Sequence, residues 1–209
     1  MIGREKLVEN PFDQGFFVSD ELRKFGFASV GENVLISKRA TIIGLKNIWI
    51  GNDVRIDDYA VITAYGGSLF LGNYIHIGSF SFLGCRGGVV LEDFSGLSQG
   101  AKVYSASDDY TGGALTNPTV PAEYTNVKTS QVLLRRHVIV GAGTVILPGV
   151  ELKEGVSVGA QSLVTKNLDA WGVYAGRPAS FLRKRKMDLL EAEKNLKLHL
   201  DEDKKKNSM

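Results

Sequence analysis

The sequence predicts an all-β protein wound as a parallel β-helix, and three observations carry that prediction. In "VIVGAGTVILPGVELKEGVSVGAQSLV" (138–164), the aliphatic residues Val140, Ile146, Leu152, Val158 and Val164 recur at every sixth position. Side chains in a strand alternate faces with period two, so a six-residue unit is a short strand of fixed facing plus a corner. Small or branched residues (Thr144, Val150, Val156 and Ser162) stand four places after the first four aliphatics, which gives each unit a second inward position beside its corner. Glycine is abundant at 24 residues while proline is scarce at 5, a balance that favours tight turns over disordered linkers. Three units close a triangular rung of about 18 residues, and rungs stack at about 4.8 Å, the ordinary strand spacing.

The elements follow in chain order. "SDELRKFGF" (19–27) reads as a short helix with Ser19 as N-cap and acidic residues in its first turn. It is placed to cover the open end of the solenoid, so residues 1–29 are taken as an N-terminal helical cap. The β-helix is assigned to 30–170. Its repeat runs through Val30, Ile36, Ile50, Ile56, Leu71, Ile77, Leu83, Leu91 and Leu97, with an extra residue or two near 43–49, 64–70 and 85–90. Those irregularities are regularly spaced, as if one corner of each rung bulges. The register then stops. "SASDDYTGGALTNPTVPAEYTNVKTSQ" (105–131) has no period and is crowded with turn formers, after which Leu134 and Val140 resume the repeat. So long an excursion from a regular solenoid is either functional or disordered. Residues 171–209 are assigned to a C-terminal helical segment and tail. Within them 181–200 read as helix, with Leu182, Leu189 and Leu196 seven apart, and "DEDKKKNSM" reads as a frayed end.

Composition narrows the function classes. The chain has 209 residues, 44% of them hydrophobic, enough for one domain with appendages. A formal net charge of +2 provides no field to draw the protein to nucleic acid or to a membrane. No apolar run of about 18 residues is present and the start lacks signal-peptide order, so a cytoplasmic protein is expected. The single cysteine, Cys85, excludes an internal disulfide framework and a cysteine-based zinc site. The three histidines are His76, His137 and His199. Only two fall within the solenoid, too few for a three-histidine metal centre, and no metal is expected.

The run from 138 to 180 resembles the hexapeptide acyltransferases. "IVGAGTVILPGVELKEGVSVGAQSLVTKN" followed by "VYAGRPASFLRKR" carries a G-x-P-A ending after a V-T-K step. Four pieces are similar to the sugar-nucleotide N-acyltransferases that acylate the 4-amino group of dTDP-4-amino-4,6-dideoxyglucose. These are "GNDVRIDDYAVI" (51–62), "YSASDDYTGGALTNPTVP" (104–121), "YTNVKT" (124–129) and "HVIVGAGTVILPGV" (137–150). The resemblance covers residues 30–185 in architecture. It implies a left-handed helix, a homotrimer with active sites between subunits, and coenzyme A, carried as acetyl-CoA, lying along the prism. The acceptor it implies is the amine of a nucleotide-linked dideoxy aminosugar destined for a surface glycan. One departure bears on the chemistry. The O-acetyltransferases of this group carry a catalytic histidine in the long loop, whereas this loop has none and presents "SASDDY" instead. Sugar O-acetylation and a non-catalytic β-helix scaffold stand as the alternatives.

Each candidate residue has two readings. Asp108, at the position the resemblance marks, is expected to orient the amine and accept its proton; the rival is an ordinary Asp-rich turn. Ser98 bonds the sugar or a developing oxyanion, or is a small corner residue. Gly141, Ala142 and Ala160 line the path of coenzyme A, where small side chains let a narrow ligand approach the backbone; the repeat's own preference for small corners explains the glycines equally. Lys166 and Arg183 match family positions near the phosphates of the cofactor, against plain surface solvation. Tyr110, Asn117 and Tyr124 stack on a base or bond a pyrophosphate. His76 touches substrate, or is a surface histidine; His137 is read as an outward corner site, with a role as an alternative base beside it. Arg55 is expected to pair with Asp57 or Asp58 as a structural device.

Overall fold

The six-residue step is realised as strands of two to four residues wound around three faces, in a computed structural model that describes residues 12–207. Face one holds Ser29–Val30, Ile48–Ile50, Leu69–Leu71, Val89–Leu91, Val132–Leu134 and Glu151–Leu152. Face two holds Leu35–Ser37, Val54–Ile56, Ile75–Ile77, Gly96–Leu97, Ile139–Val140, Ser157–Val158 and Gly172–Ala175. Face three holds Thr41–Ile43, Val61–Thr63, Phe82–Gly84, Lys102–Tyr104, Val145–Ile146 and Leu163–Val164. Strands on each face pair in parallel, rung on rung: Ile56 with Ile77, Leu97 with Val140, Ile146 with Val164. This is the β-helix that the hexad period predicts.

The first aliphatic of each unit points inward. On face two Ile36, Ile56, Ile77, Leu97, Val140 and Val158 form one column, none more than 3% exposed. Each such side chain contributes about 1.5–3 kcal/mol by leaving water. The second inward position accepts hydroxyls where the backbone offers a partner. Thr144 and Ser162 are buried, and their hydroxyls donate to the Gly159 carbonyl at 3.0 and 2.7 Å, which removes the penalty for burying them.

The three corners differ. Between faces three and one the chain bulges, as at the short 3-10 turn Leu45–Asn47, and the excursion leaves the solenoid at this same corner. Its mouth is closed by the Ser130 amide donating to the Ser105 carbonyl at 2.9 Å. Just outside, Ala106–Ser107 and Lys128–Thr129 pair antiparallel. Between faces one and two Tyr74, Phe94, His137 and Trp171 all take positive φ. The Tyr74, Phe94 and His137 rings stack in turn at 4.6 and 5.2 Å, and the Trp171 ring lies tilted by 38° at 6.3 Å from His137. Gly155 occupies the rung between His137 and Trp171 with φ +69°, and a Cβ there would meet the Trp171 indole at 2.4 Å. His137 is therefore no outward corner site. It is 6% exposed and sandwiched in the aromatic column.

Both ends differ from the sequence reading. The helix is one turn, Ser19–Leu22 (α1), and Ser19 opens it rather than capping it. The Ser19 hydroxyl instead accepts from the Val34 amide at 2.9 Å, while Glu21 accepts from the Val18 amide at 3.0 Å. A strand covers the first rung as well: Phe16–Val18 lies antiparallel to Leu35–Ser37, and Leu22 plugs into the core. Residues 1–11 of the expected cap lie outside the described residues. At the other end, residues 181–184, expected as helix, belong to a strand, Ser180–Lys184, antiparallel to Gly172–Ala175. An open sheet edge rewards pairing more than the local pattern rewards helix. The helix α2 begins only at Leu189 and runs to Asn207, into the stretch expected to fray; residues 208–209 lie outside the described residues.

Candidate active site

The excursion brings a carboxylate to a hollow. Two adjacent aspartates follow the strand Ala106–Ser107, and their surroundings separate them. Asp109 is 7% exposed and accepts from the Thr111 amide and hydroxyl at 2.8 and 2.5 Å. These hydrogen bonds hold its carboxyl below the usual range and make it the turn-former. The Asp108 carboxylate has no hydrogen bond or ion pair among the described residues, and Asp108 lines a hollow of about 340 Å³ with Arg86 and Asn117. Asn117 has φ 78°, and its Oδ1 accepts from the Thr119 amide and hydroxyl at 3.1 and 2.6 Å. That leaves its NH₂ to donate elsewhere. The apolar walls are Val120 and Val127. Tyr110 and Tyr124, expected to meet a base, do not line this hollow and are 92% and 60% exposed.

Ser98 stands elsewhere. It belongs to the edge between faces two and three, at the opposite side of face three from the excursion. Backbone hydrogen bonds climb that edge: the amides of Asp57, Gly78, Ser98, Gly141 and Gly159 donate in turn to Ile77, Leu97, Val140, Val158 and Tyr174 at 2.8–2.9 Å. Ser98 is thus stacked directly below Gly141 and Gly159, and Ala142 and Ala160 form the adjoining column above Gln99. The missing side chain of Gly141 is required by the next rung, because a Cβ would lie 2.5 Å from the Ala160 amide nitrogen. Of the two readings of that glycine, rung stacking is the one with a visible cause. Ala142 is half-buried and Ala160 exposed beside it.

Below Ser98 the same edge carries Asp57. Its carboxylate accepts from Arg55 Nε at 2.6 Å and meets His76 Nε2 at 2.7 Å. Burial works against the charge on Asp57, yet the hydrogen bonds from His76 and Arg55 hold its carboxyl below the usual range. Asp58 turns away to Ser37 and Arg39. His76 and Ser98 line one hollow of about 480 Å³ on face two, walled on its far side by α2. The structure therefore brings Ser98 together with His76, and Asp108 together with Asn117, in two separate hollows. The sequence reading missed Arg86, a corner residue like any other by its spacing, and took Asp57 only as a partner of Arg55.

At the C-terminal end of the prism Lys166 lines a third hollow beside Trp171 and Tyr174. Arg183 is exposed on the strand Ser180–Lys184 and does not line that hollow. Neither Lys166 nor Arg183 makes an ion pair with any described residue, so both cations are uncommitted and suited to phosphate groups. Cys85 is wholly buried, and burial pushes its thiol up to about 12, which leaves it inert as a nucleophile. Among the described residues no three His, Cys, Asp or Glu converge on a metal position, and no helix is long and apolar enough to cross a membrane. Among the described residues these hollows and their rims present a carboxylate, a hydroxyl, an imidazole and two cations without an ion pair.

No family model matches the sequence. Individual proteins do. The chain is 42% identical over 173 residues to dTDP-4-amino-4,6-dideoxy-D-glucose acyltransferase of Escherichia coli, covering 83% of this chain and 90% of that relative. Among solved structures it resembles AntD, an N-acyltransferase from Bacillus cereus, in complex with dTDP and 3-hydroxybutyryl-CoA. The TM-score is 0.84 at 42% identity, over 90% of this chain and 98% of the other. A serine-to-alanine variant of AntD, in complex with dTDP-4-amino-4,6-dideoxyglucose and coenzyme A, matches with a TM-score of 0.83 at 43% identity, over 87% and 97% of the two chains.

Proposed function

The chain belongs to the family of acyltransferases that includes dTDP-4-amino-4,6-dideoxy-D-glucose acyltransferase, and from that premise we propose that it moves an acyl group from acyl-CoA to the amine of dTDP-4-amino-4,6-dideoxyglucose, for a surface glycan. The observation that carries this reading is the excursion: no histidine in it, and a carboxylate, Asp108, that lines a hollow without a partner among the described residues. An amine attacks a thioester more readily than a hydroxyl does, and a carboxylate within hydrogen-bond reach suffices to orient it and take its proton. The nitrogen bonds the carbonyl carbon, the carbon–sulfur bond breaks, and the proton passes by way of Asp108 to the departing sulfur.

Residue roles follow from placement. Ser98 stands where the acyl end of a cofactor lying along the edge of Ala142 and Ala160 would arrive, with its hydroxyl able to donate to the developing oxyanion. Lys166 and Arg183, both uncommitted, meet the cofactor's phosphates. Asn117 offers its NH₂ to the nucleotide. AntD structures include replacements of one serine and of one aspartate ten residues further along, and Ser98 and Asp108 keep that interval. The separation of Ser98 from Asp108 supports a homotrimer: rotation about a three-fold axis brings one edge of a chain to the opposite edge of its neighbour and completes a site from two copies. An enzyme that consumes acyl-CoA is assigned to the cytoplasm.

The test offers acetyl-CoA and 3-hydroxybutyryl-CoA with dTDP-linked 4-amino sugars and with their 4-hydroxy counterparts, read by release of free thiol. Thiol release with the amines alone is expected. Equal or greater release with the hydroxy sugars would establish O-acylation in its place.

A further inference from the structure

Resting on that reading, we infer that Asp57 is a positioning residue that fixes His76 as the acceptor of a hydrogen bond from a hydroxyl of the substrate's amino sugar.

The geometry is one-sided. His76 Nε2 is taken by Asp57 at 2.7 Å, while its Nδ1 has no partner among the described residues. An ionised carboxylate only accepts, so Nε2 carries the hydrogen, and in the neutral ring Nδ1 is left as a lone pair. Arg55 locks the other carboxylate oxygen at 2.6 Å. The Asp57 side chain is 13% exposed against 50% for His76, so the orienting group is sheltered and the oriented ring is not. Orientation by a sheltered carboxylate gives a ring one rotamer and one tautomer, a geometry with little value for a histidine that merely meets solvent.

The space in front of the ring is kept clear. Gly96 is the register partner of His76 on the next rung, and a Cβ there would meet nothing closer than the His76 carbonyl at 3.5 Å. This glycine has negative φ and is not demanded by rung contact, unlike Gly141. The hollow it opens is shared with Tyr74 and Ser98 and walled by Leu189 and Leu196 of α2. Ser98 is the residue assigned above to the acyl end, so a ligand group at His76 lies beside the reacting centre. The amine is assigned to Asp108. What the same sugar still offers a lone pair is a ring hydroxyl, and a site built to hydrogen-bond that hydroxyl discriminates against an analogue that lacks it.

The experiment measures initial rates and calorimetric binding for the full chain with dTDP-4-amino-4,6-dideoxyglucose and with analogues lacking one sugar hydroxyl at a time. The proteins are wild type, His76→Phe, His76→Asn, Asp57→Asn and the Asp57→Asn/His76→Phe double variant. His76→Phe is expected to raise KM for the sugar about tenfold with KM for acyl-CoA unmoved. One deoxy analogue should suffer the same loss with wild type and no further loss with His76→Phe. His76→Asn, which places an acceptor oxygen near the position of Nδ1, should recover part of it. Asp57→Asn should cost about threefold alone and nothing more on top of His76→Phe, since its effect passes through the ring. A His76→Phe enzyme with wild-type KM, or deoxy analogues losing equally in both proteins, would overturn the inference while leaving acyl transfer intact. An Asp57→Asn loss that persists in the double variant would show Asp57 to act on structure alone. Wild type that neither binds nor acylates the sugar nucleotide overturns the functional reading, and this inference with it.

Discussion

Glu193, on the C-terminal helix, meets His137 of the aromatic column at 2.8 Å, and the same carboxylate takes Arg136 and Lys197. Burial alone would raise its pKa, but the hydrogen bonds from Lys197, Arg136 and His137 hold it down at about 2. A carboxylate depressed in the folded state stabilises above its ordinary value of 4.5, and loses that contribution as the pH falls towards about 2. The docking of α2 is therefore expected to hold at neutral pH and to loosen through that acid window. Glu193→Gln should loosen it at pH 7. Hydrogen exchange of the α2 amides reads both effects; unchanged protection in the variant would show that Glu193 does not anchor the helix.

The two aspartates of the excursion make opposite predictions. Asp108→Asn should lower kcat by about 100-fold or more, in the range of general-base removal, with Tm unchanged. Asp109→Ala should instead destabilise the loop, because Thr111 loses both of its bonds, and lower activity only in proportion to the disordered fraction. Thermal melts beside initial rates separate the two.

Ser98 and Asp108 occupy different edges of one chain, so each is expected to serve a different neighbour. Ser98→Ala and Asp108→Ala homo-oligomers should each be nearly inactive. Unfolding and refolding them together should restore activity at about one quarter of the sites, by random assortment. A mixture that stays inactive after subunit exchange places both residues in one chain's own site.

Gly155 and Gly66 separate strain from collision. Both have positive φ, +69° and +75°, but only Gly155 has a ring against its missing side chain. Gly66→Ala is expected to cost about 1 kcal/mol, the price of left-handed backbone for a residue with a Cβ. Gly155→Ala should cost about 2–3 kcal/mol and shift the tryptophan fluorescence, because Trp171 has to move. Equal melting temperatures for the two variants would contradict the packing described.

What could be read from the sequence was whatever a single rung contains. The column through Ile56, Ile77, Leu97 and Val140 declares itself because each member sits at a fixed place in a repeat that needs no knowledge of its neighbours. Asp108 was singled out by the resemblance, which marks its position; nothing local in the aspartate pair announces that Asp109 is the one that bonds Thr111. Contacts between rungs were not readable. Asp57 and His76 are 19 residues apart and meet only when the coil closes. His137 looked like a surface corner because nothing local announces that Phe94 lies beneath it or that a helix 56 residues on will cover it. Phe16–Val18 has too few residues to show strand periodicity, and its antiparallel partner lies outside the hexad logic.

The hydrogen bond between Ser130 and Ser105 makes the solenoid blind to whatever hangs beyond it. A rung sealed at that point winds on as if nothing had been inserted. The excursion can thus be lengthened or exchanged without disturbing the stacked rungs. In such a scaffold, new specificities cost no refolding of the old framework.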